Sequence, residues 1–92
     1  MNPLEFKAEL FKCLSDQARI QIIELLLKKK RMYVTEIQKE LGFTQAKTSR
    51  HIIYLKKAGV LSLEQEPNAN YYLISDDYKK LLKSLLGTFG KN

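Results

Sequence analysis

The change in hydrophobic spacing at Val60 is the feature that most restricts the fold of this chain. Before that residue, apolar side chains recur at intervals of three and four, the spacing of amphipathic helices. After it, Leu61 and Leu63 are separated by a polar residue, and a second apolar run begins at Tyr71. Residues that favour turns, Pro67–Asn70, separate the two runs, so the sequence predicts a β-hairpin.

Capping residues divide the helical part into four segments, and a fifth helix is predicted after the hairpin. The predicted caps are Asn2 followed by Pro3, Ser15 with Asp16, Thr35 in a capping box with Gln38, Thr44, and Ser75 with Asp76–Asp77. The second helix has a wide apolar stripe typical of the centre of a core, and the basic run Lys28–Arg31 closes it. We therefore predict a mostly helical single domain over residues 1–92, in the order α-α-α-α-β-β-α.

The third and fourth helices are joined by Leu41–Thr44, in which Gly42 allows the left-handed backbone of a tight turn. A short helix, a turn and a second helix that begins with polar residues form a helix-turn-helix, and the hairpin after it makes the motif a winged one. The side of the fourth helix predicted to be buried comprises Ala46, Ile52, Ile53 and Leu55.

The polar side of the fourth helix has side-chain types that recognise DNA bases. Gln pairs with N6 and N7 of adenine, Arg pairs with O6 and N7 of guanine, and Thr or Ser contacts base edges. A net charge of +6 also favours a polyanionic partner. Taken alone, the same residues fit the solvated face of an amphipathic helix. The residues predicted to face DNA are Gln45, Lys47, Thr48, Arg50 and His51, with Lys56 and Lys57 beside the phosphate backbone.

Composition and motifs argue against other classes of function. The single cysteine excludes an intramolecular disulfide and indicates a reducing compartment. The N-terminal segment is interrupted by charges, unlike a signal peptide, and no apolar run approaches the roughly 20 residues that span a bilayer. Paired carboxylates, a Gly-rich phosphate loop and a nucleophile–base arrangement are not recognisable. We therefore expect a cytoplasmic protein that is not an enzyme and has neither a cofactor nor a membrane partner.

Several runs resemble the arsenic-repressor (ArsR) family. FKCLSDQARI at residues 11–20 is similar to that family's FxALSDPTRLRIL sequence, and VTEI at 34–37 is similar to its VxDL. SRH at 49–51 and AGV at 58–60 match the most characteristic part, SRHLxxLxxAGLV. YYL at 71–73 resembles the YYSL strand that closes the family's wing.

This resemblance implies a homodimer, paired through its first and last helices, that binds an inverted-repeat operator in double-stranded DNA and represses transcription. The family's recognition contacts correspond here to Thr44, Gln45, Ser49 and His51. A domain this small cannot cover both terminal apolar stripes by itself. The residues predicted at the dimer interface are Leu4, Phe6, Leu10, Phe11, Tyr78, Leu81, Leu82, Leu85, Leu86 and Phe89.

Many members of the family sense metals, but this chain differs at both of the familiar sites. The cysteine pair of the first site is replaced by Tyr33 and Thr35, so no thiolate is present for a soft metal ion. The second site needs Asp and His on the last helix, which here has Asp76 and Asp77 without a histidine. We therefore predict a repressor that binds no metal and does not respond to one.

Cys13 and the wing leave two alternatives open. Cys13 is interpreted as a small apolar core residue, and the alternative is a thiol-responsive repressor in which Cys13 is a redox or alkylation sensor. The wing has Glu64 and Glu66, which would repel phosphate, so we expect little contact between the wing and DNA. Because winged helices can also serve as docking domains, the other alternative is a protein-interaction module.

Overall fold

The computed structural model describes residues 2–89 of the chain, with side chains as far as residue 87. Its helices and strands are α1 (Pro3–Cys13), α2 (Gln17–Lys29), β1 (Arg31–Tyr33), α3 (Val34–Leu41), α4 (Gln45–Lys57), β2 (Leu61–Glu66), β3 (Ala69–Ile74) and α5 (Asp76–Phe89). None of these helices is long and apolar enough to cross a membrane. The predicted winged-helix order is confirmed, with one additional strand, β1.

Side-chain caps begin three of the helices at the residues predicted for them. The Asn2 side-chain oxygen accepts a hydrogen bond from the backbone N–H three residues later at 2.8 Å, and the Asp16 carboxylate does the same at 3.2 Å. The Thr44 hydroxyl accepts from the corresponding N–H at 3.1 Å. Each bond satisfies an amide that the first turn of a helix leaves without a partner, so these three caps are confirmed.

The start of α3 differs from the prediction. The helix begins at Val34, and the Glu36 carboxylate accepts a hydrogen bond from the N–H of Tyr33 at 2.8 Å. The capping box predicted for Thr35 and Gln38 is therefore wrong. The helix starts earlier than predicted because β1 leads directly into α3. The residue before the helix is therefore the last residue of a strand.

The hairpin belongs to a three-stranded antiparallel sheet in the order β1-β3-β2. β2 and β3 pair from Leu61 opposite Ile74 to Glu66 opposite Ala69, which leaves residues 67–68 as the turn. β1 pairs with the other edge of β3. The predicted hairpin is confirmed, and both edges of β3 are covered.

The basic run Lys28–Arg31 is divided between two elements rather than closing α2 as predicted. α2 ends at Lys29, and Lys30 has a φ of 77° that turns the chain out of the helix. Arg31 then begins β1, opposite Leu73 of β3. A strand of three residues is too short to show alternation, so the hydrophobic pattern did not predict it.

The core is centred on α2, as the sequence predicts. Ile22, Ile23 and Leu26 of this helix are at most 1% exposed, and α2 contacts α3, α4, α5 and the sheet. The other buried apolar residues are Leu10, Cys13, Ala18, Met32, Ile37, Ile52, Leu55, Val60, Leu61, Ile74, Tyr78 and Leu82. Because α3 and α4 both pack on α2, this helix fixes their relative position.

Two glycines give opposite predictions for stability. Gly42 ends α3 with a φ of 70°, whereas Gly87 lies within α5, and an added Cβ would meet no atom within 4 Å at either residue. We expect Gly42→Ala to lower the free energy of unfolding by about 1 kcal/mol, because alanine disfavours a positive φ. Gly87→Ala should raise it by up to about 1 kcal/mol, because alanine is the better helix former. Urea unfolding measures both changes, and a loss of stability in Gly87→Ala would contradict the prediction.

Candidate nucleic-acid interface

α3 and α4 form a helix-turn-helix whose joint is the three residues Gly42–Thr44. The left-handed backbone of Gly42 ends α3, and the N–H of Phe43 donates to the carbonyl of Gln38 at 3.1 Å. Thr44 caps α4 immediately afterwards. The predicted turn is confirmed, and hydrogen bonds fix both of its ends.

Four buried side chains anchor α4 to the domain, namely those of Thr48, His51, Ile52 and Leu55. Their i, i+3, i+4, i+7 spacing puts them on one stripe of the helix. The prediction that Thr48 and His51 face outward is wrong, since they are 0% and 6% exposed. The Thr48 hydroxyl donates to the carbonyl of Thr44 at 2.8 Å, so its polar group is satisfied despite burial. These two side chains therefore belong to the buried stripe that anchors α4.

His51 lies beside the beginning of α2. Its Nε2 atom is 4.0 Å from a carboxylate oxygen of Asp16, the cap of that helix. Burial lowers the pKa of His51, the positive charges of Arg50, Arg19 and Lys47 lower it further, and Asp16 opposes them. The imidazole is therefore neutral at pH 7, which suits its buried position.

The rest of α4 is mostly exposed and mostly polar or basic. Its exposed residues are Gln45, Ala46, Arg50, Ile53, Lys56 and Lys57. The prediction that Ala46 and Ile53 are buried is wrong, and Ile53 is 52% exposed. Because 46 and 53 are seven residues apart, they lie on the same side of the helix, away from the stripe that begins at Thr48.

Three other predicted contact residues lie at the margins of this face. Thr44 is exposed, but its hydroxyl already accepts the capping hydrogen bond. Lys47 is partly buried, and its Nζ atom is 4.2 Å from the centre of the Phe43 ring, a cation–π distance. Ser49 is also partly buried. Arg50 and Gln45 are therefore the more accessible of the predicted base-reading residues.

The carboxylates of the wing are paired within the domain. Nη1 of Arg31 lies 2.6 Å from a carboxylate oxygen of Glu64 and 3.3 Å from one of Glu66. The guanidinium carbon of Arg31 also lies 3.9 Å from the centre of the Tyr71 ring. Sequence reasoning missed this cluster because Arg31 is 33 and 35 residues from its partners and no local pattern connects them.

Comparison with known proteins shows the family to which this winged helix-turn-helix belongs. The model of the arsR family of bacterial regulatory proteins matches residues 16–62, just over half of the 92 residues. The chain belongs to the arsR family. An HTH-type transcriptional regulator of Methanocaldococcus jannaschii is 38% identical over 84 residues, which cover 90% of this chain and 94% of that protein. Several other curated relatives are longer, and the chain spans 59% to 66% of their length.

Solved structures agree with membership of the arsR family. The transcriptional repressor PagR of Bacillus anthracis has a TM-score of 0.79 and 30% identity, covering 89% of this chain and 94% of that one. A homodimeric winged helix-turn-helix DNA-binding domain from Mycobacterium bovis has a TM-score of 0.81 and 26% identity, covering 92% of this chain and 78% of that one. The predicted fold and family are confirmed, and the chain is a transcriptional regulator, which is not an enzyme.

Tyr33, at one of the thiolate positions of the arsR family, makes contacts within this domain. The Tyr33 hydroxyl is 2.6 Å from that of Tyr71, and the two rings stack with their centres 4.3 Å apart. This hydrogen bond raises the pKa of Tyr33. Between residues 2 and 87, no three His, Cys, Asp or Glu side chains come together as metal ligands would.

Cys13 packs in the core of this arsR-family domain and is fully buried. Burial raises the pKa of the Cys13 thiol, and the neighbouring Glu9 raises it further. Because the thiolate is the form that reacts with oxidants and alkylating agents, this environment disfavours reaction. The structure thus supports the interpretation of Cys13 as a core residue over the sensor alternative.

The terminal helices separate the predicted dimer residues into two groups. Leu10, Tyr78 and Leu82 are at most 7% exposed, so the prediction that they pack on a second subunit is wrong. They pack within their own domain, where the ring of Tyr78 stacks on that of Phe6 with the centres 5.3 Å apart. The amphipathic pattern showed both helices to be apolar without showing which side chains the domain itself covers.

The other predicted dimer residues are at least partly exposed to solvent in the single subunit, where the structure describes their side chains. Leu4, Phe11 and Leu81 are 75%, 62% and 41% exposed. Leu85 and Leu86 are partly buried. The side chain of Phe89, also predicted at the interface, lies outside the described residues. Among the side chains that the structure describes, the exposed large apolar ones on α1 and α5 are therefore Leu4, Phe11 and Leu81.

His51, the only histidine of the chain, gives its stability a pH dependence. Because the pKa of His51 in the folded protein is below its usual value of about 6.5, the unfolded chain binds the proton first as the pH falls. Its contribution to stability is therefore complete above about pH 6.5 and is lost as the pH decreases below it. We expect the urea midpoint to fall between about pH 7.5 and about pH 5.5.

The control for this prediction is His51→Gln, which removes the titrating group and keeps a polar side chain. Asp16 does not titrate in this range. Burial raises its pKa, but hydrogen bonds from the N–H groups of Arg19 and Ala18, together with the charges of His51 and Arg19, outweigh that effect and hold the pKa below its usual value. The midpoint of the variant should change less with pH than that of the wild type. Equal changes in both proteins would assign the pH dependence to another group.

Proposed function

We propose that this chain binds double-stranded DNA as a homodimer and represses transcription from an inverted-repeat operator. The two-sided construction of α4 is the observation that carries the proposal. One side is fixed in the core by four buried side chains, and the other exposes Arg50 and Lys57, while Gln45 is exposed at the first turn. The second helix of a helix-turn-helix enters the major groove with its first residues toward the bases.

Base recognition is assigned mainly to Arg50. Its guanidinium is exposed on the first half of α4 and can donate two parallel hydrogen bonds to O6 and N7 of guanine. Gln45, the first residue of the helix, has the amide that pairs with adenine. Ser49 and Thr44, at the margin of the face, are suited to contacts with phosphate or base edges. Thr48 and His51 contribute indirectly: their burial fixes the rotation of α4 so that Arg50 is exposed.

Contacts with the phosphate backbone are assigned to Lys56 and Lys57, which end α4, and to Lys47 near its start. The net charge of +6 supports attraction to DNA, and binding through lysines weakens steeply as salt rises. The wing contributes less, because Arg31 is already engaged by Glu64 and Glu66.

Pairing of two subunits is assigned to α1 and α5. Leu4, Phe11 and Leu81 remain exposed there, and burying apolar surface contributes roughly 25 cal/mol per Å². The Mycobacterium bovis domain with the same fold is homodimeric, which supports this arrangement. A two-fold pair would place two α4 helices about 34 Å apart, one turn of DNA, as an inverted repeat requires.

Repression without a metal ion is the mode of regulation that the residues support. Tyr33 and Thr35 replace the thiolates of the first family site, and the last helix has no histidine for the second. PagR, which shares the fold at 30% identity, is a repressor. Because the chromosome is the target, we place the protein in the cytoplasm.

Substitution of Arg50 tests the assignment of base recognition. We expect Arg50→Ala to weaken binding to a preferred duplex at least about 30-fold, since the dimer loses one bidentate base contact in each half-site and each contributes roughly 1–3 kcal/mol. The duplex is obtained by selection from a random pool, and binding is measured by fluorescence anisotropy at constant salt. The matched control is Lys80→Ala, which removes one positive charge from an exposed residue of α5.

The control separates recognition from general charge attraction. Lys80→Ala should bind within about twofold of the wild type, because its charge is on α5 rather than on α4 and is screened by salt. If both variants lost the same affinity for the duplex, binding would depend on net charge and not on a base contact by Arg50. If the wild type selected no duplex, the DNA-binding proposal would be wrong, and the protein-interaction alternative would replace it.

Substitution of Phe11 tests the dimer. We expect Phe11→Glu to weaken dimerisation at least about tenfold, because it places a charge in an apolar contact. Sedimentation equilibrium measures the dissociation constant, and circular dichroism should show an unchanged fold, since Phe11 is 62% exposed in the single subunit. Gln21→Glu adds the same charge at an exposed residue of α2 and is the control. A Phe11→Glu protein that dimerises like the wild type would place the interface elsewhere.

A further inference from the structure

The exposure of Ile53 is unexplained by the packing of the domain. This side chain is 52% exposed, although it lies in the middle of α4, whose other isoleucine, Ile52, is 1% exposed. The exposed face of the helix runs from Ala46 through Arg50 and Ile53 to Lys57, at intervals of four, three and four residues. Ile53 is therefore an apolar side chain between two cations on the face assigned to DNA.

The neighbours of Ile53 indicate what covers it. An apolar protein surface packed on Ile53 would also have to cover Arg50 and Lys57, and removing unpaired cations from water is costly. DNA satisfies all three side chains together, because phosphates and guanine edges accept from the cations. The only apolar group on the base edges of the major groove is the C5-methyl group of thymine, which aliphatic side chains contact.

We propose that Ile53 is a specificity-determining residue that packs on a thymine methyl group in each half-site of the operator. Ala46, on the same face two turns earlier, has a side chain small enough for the helix backbone to approach the base edges closely. The operator is thus read by two kinds of contact, hydrogen bonds from Arg50 and apolar packing by Ile53. This inference rests on the proposed DNA binding, and its test is separable from the test of that function.

The experiment replaces thymine by uracil, which removes the methyl group and leaves the base pair intact. In the selected duplex, each thymine is replaced singly, and the affinity is measured for the wild type, Ile53→Ala and Ile53→Val. For the wild type, we expect a loss of about three- to fivefold at one thymine per half-site, the effect of burying one methyl group. The same replacement should have no effect on Ile53→Ala, while Ile53→Val should retain most of the preference.

The controls exclude effects on folding and assembly. Because Ile53 is exposed and alanine favours helix, Ile53→Ala should melt at the temperature of the wild type or slightly above it. Its dimer dissociation constant should be unchanged, and a weaker dimer would show that Ile53 packs on the second subunit, which overturns the inference.

Two further results would also overturn it. If Ile53→Ala keeps the full penalty at the sensitive thymine, or if the wild type is indifferent to every replacement, Ile53 contacts no methyl group while DNA binding stands. If no duplex is bound at all, the proposed function and this inference fall together.

Discussion

The burial of two polar residues under α4 determines which side of the helix faces out. Ile52 and Ile53 are neighbours about 100° apart around the helix axis, so the apolar residues alone allow more than one rotation of α4. Thr48 and His51 remove this ambiguity. The hydroxyl of Thr48 is satisfied only by the carbonyl one turn earlier, and His51 lies against the cap of α2. With these two side chains inside, Ile52 must be buried and Ile53 exposed.

A second set of polar contacts fixes the sheet. Arg31 and Tyr33 in β1 reach Glu64 in β2 and Tyr71 in β3, so side chains as well as backbone hydrogen bonds join all three strands. The two carboxylates of the wing share one guanidinium, whereas Arg50, Lys56 and Lys57 of α4 are exposed. The cations of α4 therefore lie beside a wing whose two carboxylates are partly neutralised by Arg31.

Much of this arrangement could be predicted from local sequence. The caps at Asn2, Asp16 and Thr44, the turn at Gly42 and the hairpin all depend on neighbouring residues, and all are confirmed. What the sequence could not show depends on contacts between distant residues. β1 forms only because β3 offers it an edge, and Glu36 caps α3 because that strand precedes the helix.

The candidate interface likewise has features that local sequence predicts and features that depend on distant contacts. Its basic and amide residues were recognisable by type, whereas the positions of Thr48, His51 and Ile53 depend on how α4 packs against the rest of the domain. A polar residue is expected outside and an isoleucine inside, and here both expectations fail on one helix. The i, i+3, i+4, i+7 relation among residues 48, 51, 52 and 55 was the available signal, but it was hidden because two of its members are polar.

The burial of Cys13 has a practical consequence for spectroscopy. As the one thiol of the sequence lies inside the core, a cysteine introduced on the surface becomes the preferred target for a maleimide or nitroxide label. Asn68, exposed at the tip of the hairpin, is suited to such a label. In a two-fold assembly each subunit would then carry one probe, and the separation between the two tips becomes a distance that electron paramagnetic resonance can follow while duplex is added.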